Sequence, residues 1–100
     1  MSVEEQYSAI DPVQLLIAPM GETAYRHAAL LARDIRSKGA VVEIAPDGKL
    51  KKSLELANKI GAQQTLIIGD NEIAAGAYAL KNMTSGEQTT VSREDLLNRF

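Results

Sequence analysis

The chain has 100 residues, enough for one hydrophobic core but not two. Its 45% hydrophobic and 24% charged residues with only 7 Gly and 3 Pro exclude a disordered, collagenous or low-complexity chain. The absence of cysteine excludes a disulfide framework, a cysteine nucleophile and a thiolate zinc site, and 11 Lys+Arg against 13 Asp+Glu, a formal charge of -2, exclude a protein that coats nucleic acid by bulk electrostatics.

Met1 to Asp11 is polar and aperiodic and stops at Pro12, the pattern of a flexible leader or linker remnant, so the folded domain is expected over 12–100. Glu4, Glu5 and Asp11 stand where an export signal would carry Lys or Arg before an apolar stretch. Apolar runs such as Leu15–Ala18 fall far short of the roughly 18–20 residues that cross a bilayer. A cytoplasmic protein without membrane contact is expected.

Val13 to Ala18, a nearly continuous apolar run between Pro12 and Pro19, predicts a strand covered on both faces, of the kind found in parallel sheets. Gly21-Glu22-Thr23 then opens a helix in which Ala24, Ala28, Leu31 and Ile35 recur at helical spacing, with Arg26, Arg33 and Arg36 on the opposite side, and Gly39 ends it. Ala40 to Ile44 reads as the second strand and Pro46-Asp47-Gly48 as a turn. The next helix runs from Leu50 to Ile60, with Leu50, Leu54 and Ala57 on one face, Lys51, Lys52, Glu55 and Lys59 on the other, and Gly61 as its stop. Gln64 to Gly69 is a third strand as apolar as the first. The alternation βαβαβ predicts a three-layer α/β sheet with right-handed crossovers.

Past Gly69 two signals compete. Ile73 to Lys81 is alanine-rich, which favours a helix, yet Gly76 sits in its middle and Tyr78 and Leu80 alternate with small residues at period two. The segment is read as a strand. Thr84-Ser85-Gly86 marks a hairpin turn, Gln88 to Val91 a β-branched fifth strand, and Ser92 with Glu94 and Asp95 the capped start of a last helix.

Catalysis needs a nucleophile, a base and an orienting group, and the chain offers one histidine, no cysteine and no serine in a strand-to-helix elbow. His27 lies mid-helix beside the apolar stripe and reads as a packing residue. Asp70 and Glu72 follow the third strand, where open α/β sheets place a ligand crevice, and could bind Mg²⁺ or simply cap a turn. Pro19-Met20-Gly21-Glu22 lacks the glycines of a phosphate loop, and Glu22 would repel a phosphate. Positive charge concentrates in the second half: seven basic residues against six acidic from Lys49 onward, four against seven before it. Lys49, Lys51, Lys52 and Lys59 are the best contacts for a polyanion, or else a solvated helix face. Tyr78, an aromatic in an expected sheet, could stack on an unpaired base or be a half-buried structural tyrosine.

The segments PVQLLIAPMGETA, APDGKLKKSLELANKIGA and LIIGDNEIAAGAYALKNMTSGEQTTVSREDL together resemble the anticodon-binding domain of class II aminoacyl-tRNA synthetases over nearly all of 12–100. KLKKSL, LKNM and SGEQ are most similar to the histidyl-tRNA synthetase form of that domain, and Ala75 and Met83 depart from residues found in some threonyl relatives. The resemblance implies a mixed, mostly parallel five-stranded sheet flanked by three helices, with Ile73–Leu80 extended. It also implies a module without a catalytic centre or a metal of its own that grips the anticodon stem-loop of histidine tRNA, with ATP and Mg²⁺ belonging to a separate catalytic domain of the parent synthetase. Neither DNA nor membrane is an expected partner. The matching contact positions are Asn71, Glu72, Lys81, Asn82 and Gln88, joined by Tyr78; amides and a carboxylate suit the edges of splayed bases, while Lys49, Lys52 and Lys81 suit phosphates. Two rivals remain open: a freestanding paralogue acting in protein interaction or regulation, and a small-molecule-binding α/β domain using the crevice at Gly69–Glu72.

Overall fold

Apolar strands that cannot face water on either side require helices above and below the sheet. The computed structural model, which describes residues 13–46 and 49–100, shows that arrangement. The expected leader and the tip of the expected turn, Asp47-Gly48, lie outside the described residues. Strand β1 (Leu15–Pro19) is buried at every position and is followed by α1 (Glu22–Arg36), β2 (Val42–Ile44), α2 (Leu50–Ile60) and β3 (Gln64–Ile68). Then come α3 (Asp70–Ala75), β4 (Ala77–Asn82), β5 (Gln88–Ser92) and α4 (Arg93–Asn98).

The sheet runs β2-β1-β3-β4-β5. β1 pairs parallel with β2 and with β3, whereas β3–β4 and β4–β5 are antiparallel, so the parallel part is confined to the first three strands. From β1 the chain steps outward to β2 and then back past β1 to β3. With right-handed crossovers those opposite steps put α1 and α2 on opposite faces. One face carries Leu15, Ile17, Leu66, Ile68, Tyr78, Leu80 and Val91, packed with Ala28, Leu31 and Ile35 of α1 and Leu96 of α4, and Ile73 of α3 joins this side. The other face gathers Leu16 with Ala57, Ala62 and the half-buried Leu56, Ile60 and Met83 around α2.

The expected strand over Ile73–Lys81 begins only at Ala77, and Ile73-Ala74-Ala75 belongs to a helix. Gly76 is the boundary rather than the middle of an element: it adopts the left-handed conformation (φ +68°, ψ 21°) of a helix C-cap, and its N–H turns back to Ile73 O. The alanine propensity acts before the glycine and the period-two pattern after it. Among the described residues the sheet is therefore flanked by four helices where three were expected.

The last two elements form as their turn chemistry requires. Asn82 Oδ1 accepts hydrogen bonds from the Thr84 and Ser85 N–H groups (2.8 and 3.1 Å), folding the hairpin, and Ser92 Oγ accepts from the Asp95 N–H at 3.1 Å as the cap of α4.

Candidate nucleic-acid interface

The residues nominated from sequence separate into groups once the faces of the sheet are known. Thr65 pairs with Leu16 and with Lys81, and Lys81 pairs with Gln88, so these four share the α2 side. Ile67, Ala79 and Thr90 lie beside them in the same row logic, each two residues along its strand. Helix α2 lies over β1 and β3. The α2 side of β4 and β5 is left to Ala77, Ala79, Lys81 and Ser92, all half-buried, and to Gln88 and Thr90, both exposed. A floor of small side chains bordered by a lysine and an amide admits a flat planar group and offers polar atoms at its rim.

Lys49 and Lys52 are exposed at the start of α2, which the chain enters from the C-terminal end of β2. The first turn of α2 holds no acidic residue, and Lys49 occupies the N-cap position without a side-chain cap bond. A helix N-terminus carries positive partial charge, so lysines there are the wrong sign for stability in the absence of an anion. Asn71, exposed, and Glu72, half-buried, sit in the first turn of α3 at the same end of the sheet, directly after β3. Glu72 turns back over Gly69, the residue that opens α3.

Two nominated residues have other duties. Tyr78 points to the α1 side and is 2% exposed, so it is not available to stack on a base. Its hydroxyl lies 2.6 Å from His27 Nε2 on α1, with the two rings 5.6 Å apart and tilted by 54°. Period-two alternation fixed the face of Tyr78 relative to its neighbours, but not that α1 would cover that face. Asn82 also faces away from α2; with its carbonyl oxygen engaged in the hairpin, only the amide NH₂ remains for a ligand. It borders a cavity of about 420 Å³ that Gln14, Gln63, Gln64 and Arg99 also line, at the end of the sheet where β1 and β3 begin.

Burial raises the Tyr78 phenol above its usual value of 10.0, with Arg93 opposing the shift. A group whose folded pKa is raised contributes stability that is complete below its unfolded value and is lost as pH rises through the folded one. Tyr78→Phe is therefore expected to lower stability by about 1–3 kcal/mol near neutrality, because His27 loses its partner. It should also remove part of the alkaline loss of stability above pH 10; urea midpoints measured from pH 7 to 11 test both, and unchanged midpoints for the variant would contradict the pairing.

Sequence reasoning does not single out Ala79 and Thr90, whose only signal is the alternation of β4 and β5, and it names Gly69 only as one end of the Gly69–Glu72 crevice. Among the described residues no group of three His, Cys, Asp or Glu side chains is placed to hold a metal ion, and no helix is long and apolar enough to cross a membrane.

Residues 14–100 match the family pattern described as the anticodon binding domain. The chain is 59% identical over 100 residues to the histidine–tRNA ligase of Solibacter usitatus, spanning 100% of this chain but 24% of that protein. It is 35% identical over 82 residues to the histidine–tRNA ligase of Pyrococcus furiosus, 81% of this chain and 19% of that protein. Among solved structures it superposes on apo histidyl-tRNA synthetase of S. aureus with a TM-score of 0.83 at 30% identity, over 93% of this chain and 29% of that one. The RNA binding domain of threonyl-tRNA synthetase from Cryptosporidium parvum shares the fold, with a TM-score of 0.80 at 19% identity over 89% of this chain and 23% of that one. The chain thus spans about a fifth to a quarter of the length of the curated relatives it matches. A match to the anticodon binding domain from residue 14 to residue 100 means that the chain belongs to that family.

Proposed function

We propose that the chain is the tRNA-selecting module of a histidine–tRNA ligase: it docks the anticodon stem-loop of histidine tRNA and performs no chemistry itself. Activation of the amino acid with ATP and Mg²⁺ belongs to a catalytic domain of the same ligase, working in the cytoplasm. The observation that carries the reading is the uncovered α2 side of β4 and β5, where Lys81 and Gln88 stand side by side across the strands over Ala79 and Thr90. Unpaired loop bases need a surface of this kind, because they present flat faces and free hydrogen-bonding edges only when splayed out of a helix. The exposed lysines at the start of α2 lie at the opposite end of the strands from Lys81 and Gln88 and supply contacts to phosphates further along the RNA. Asn71 and Glu72 add an amide and a carboxylate for base edges.

With a net charge of -2 the domain has little long-range attraction for RNA, so binding is expected at low ionic strength and to fade early as salt rises. Titration of the chain with histidine tRNA, with a non-cognate tRNA and with histidine tRNA carrying a changed anticodon tests the reading. The unmodified histidine tRNA should bind most tightly, by about fivefold or more over the changed anticodon, the least that one base-edge contact supplies. Equal affinity for all three RNAs would refute it.

A further inference from the structure

The end of the sheet where β1 and β3 begin and β4 ends carries a trough centred on Arg99. Its largest part is the cavity of about 420 Å³ between Gln14, Gln64, Asn82 and Arg99. Two further cavities share Arg99 with it: one of about 270 Å³ that reaches Lys38, and one of about 130 Å³ that reaches Glu87. The largest lies within the roughly 300–1,000 Å³ of pockets that take a small ligand.

The polarity of the trough is set by bonds to the backbone behind it. A backbone N–H can only donate, so the side-chain atom that it meets must be an oxygen. Gln14 Oε1 accepts from the Val41 N–H at 2.9 Å, and Asn82 Oδ1 accepts from the Thr84 and Ser85 N–H groups. Each of these half-buried amides thus has its oxygen engaged, and its NH₂ group is the polar end left for the cavity. Among the described residues neither NH₂ group has a partner, nor has the guanidinium of Arg99 or the ammonium of Lys38. Gln63 and Gln64 can turn either end of their amides inward. One acidic side chain, the exposed Glu87, lines the smallest of the three cavities.

Fixed donors select a ligand that only accepts. Base edges mix donors and acceptors, so a donor-only wall leaves a base N–H facing another N–H; a phosphodiester presents acceptors alone, and a guanidinium meets two of its oxygens at once. Position agrees with chemistry. Asn82 follows Lys81 directly and pairs with Gln64, so the trough opens at the same end of β4 as the Lys81 and Gln88 surface, round the edge of the sheet from it. A strand that lays its bases over Ala79 and continues past the end of β4 brings its next phosphates to Asn82 and Arg99.

We propose that the trough is a phosphate subsite of the RNA-binding surface: it takes a backbone phosphodiester of the RNA strand held by Lys81 and Gln88, with Arg99 and the NH₂ groups of Gln14 and Asn82 as its donors. The inference rests on the reading of the Lys81 and Gln88 surface as an RNA contact. Asn82, whose residue type suits a base edge, serves a phosphate because its oxygen is already held in the turn.

The test repeats the tRNA titrations with Arg99→Gln, Asn82→Asp, Gln14→Glu, Glu87→Gln and, as a control, Arg26→Gln. Asn82→Asp and Gln14→Glu keep the oxygen that holds the backbone and replace only the NH₂, so both should melt with the unmodified chain while presenting an acceptor where a donor stood. Arg99→Gln should weaken binding about five- to eightfold near 0.1 M salt, for histidine tRNA and the anticodon-changed tRNA alike, and make the log–log salt dependence shallower by about 0.7–0.9 of a unit, one phosphate contact. Asn82→Asp and Gln14→Glu should weaken both RNAs at least as much, and Glu87→Gln should tighten both. Arg26→Gln removes the same charge from the first half of α1, where Arg26 pairs with Glu22 in solvent, and should change nothing. Affinity and salt slope unchanged by Arg99→Gln, a loss confined to one anticodon, an equal loss in Arg26→Gln, or weaker binding by Glu87→Gln would overturn the inference. Binding that depends on Arg99, Gln14 and Asn82 without preference among anticodons supports the subsite and overturns the proposed function. A preference for histidine tRNA that survives all these substitutions at full affinity does the reverse, and no binding to any tRNA overturns both.

Discussion

Replacing Leu66 by alanine should cost the domain about 2–5 kcal/mol, the range for truncating a fully buried leucine, while Thr90→Ala on the open face should stay within about 0.5 kcal/mol. Leu66 sits in the middle of the central strand, pairs with Ile17 on one side and Leu80 on the other, and has 0% of its surface exposed. No neighbour can collapse into the space it leaves, because β1 and β4 are held in register and α1 is packed on both. The loss is a large share of the roughly 5–15 kcal/mol that keeps an ordinary domain folded. It should appear as a drop of about 10 °C or more in melting temperature, given roughly 4–8 °C per kcal/mol at this chain length. Thr90 lies two strands away on the other face with its side chain in solvent. If the two substitutions cost the same, the asymmetry between a covered and a bare face is wrong, and the surface proposed to receive RNA is not free to do so.

That asymmetry separates what is legible in the residues from what is not. The apolar runs of β1 and β3, the 3.6-residue stripes of α1 and α2, and the caps at Gly61 and Ser92 are local signals, and the elements form where they indicate. At Gly76 two local signals met, and only the turn itself, a left-handed glycine following one and a half turns of helix, shows that both apply on their own sides. Faces are a different matter. Alternation says that Tyr78 and Leu80 point together and that Ala79 and Lys81 point the other way, but which set is covered depends on strand order and on the side each crossover takes. Both are properties of the assembled sheet, so Tyr78 could be nominated for an open surface while its hydroxyl is bonded to His27 beneath α1. The turn of the Glu72 carboxylate back over Gly69 is less legible still, because it depends on a side-chain rotamer. The resemblance supplied the family, and the geometry redistributed its contact positions between a face, a turn and the core.

Lys49 gives the second large effect, because its two possible roles predict opposite combinations of stability and binding. It occupies the N-cap of α2 with an extended backbone (φ -79°, ψ 139°), the conformation in which Asp or Ser would accept a hydrogen bond from the first turn. Lysine accepts none, and its charge faces the positive end of the helix. Lys49→Asp is therefore expected to stabilise the free domain by about 1 kcal/mol, read as a higher urea midpoint. If Lys49, Lys52 and Lys81 contact phosphates, replacing each with alanine should weaken binding equally for cognate and non-cognate tRNA. The log–log salt dependence should become shallower by about 0.7–0.9 of a unit for each lysine lost, because each phosphate contact releases counterions whatever the sequence. Glu72→Ala or Gln88→Ala should do the reverse, lowering affinity for the cognate anticodon by about 1–3 kcal/mol while leaving the salt slope alone. Lys49→Asp should combine higher stability with weaker RNA binding, as expected of a residue retained for its ligand at the expense of its helix. If the triple lysine variant keeps both affinity and salt slope, the start of α2 is only a solvated face, and the phosphates must be held elsewhere.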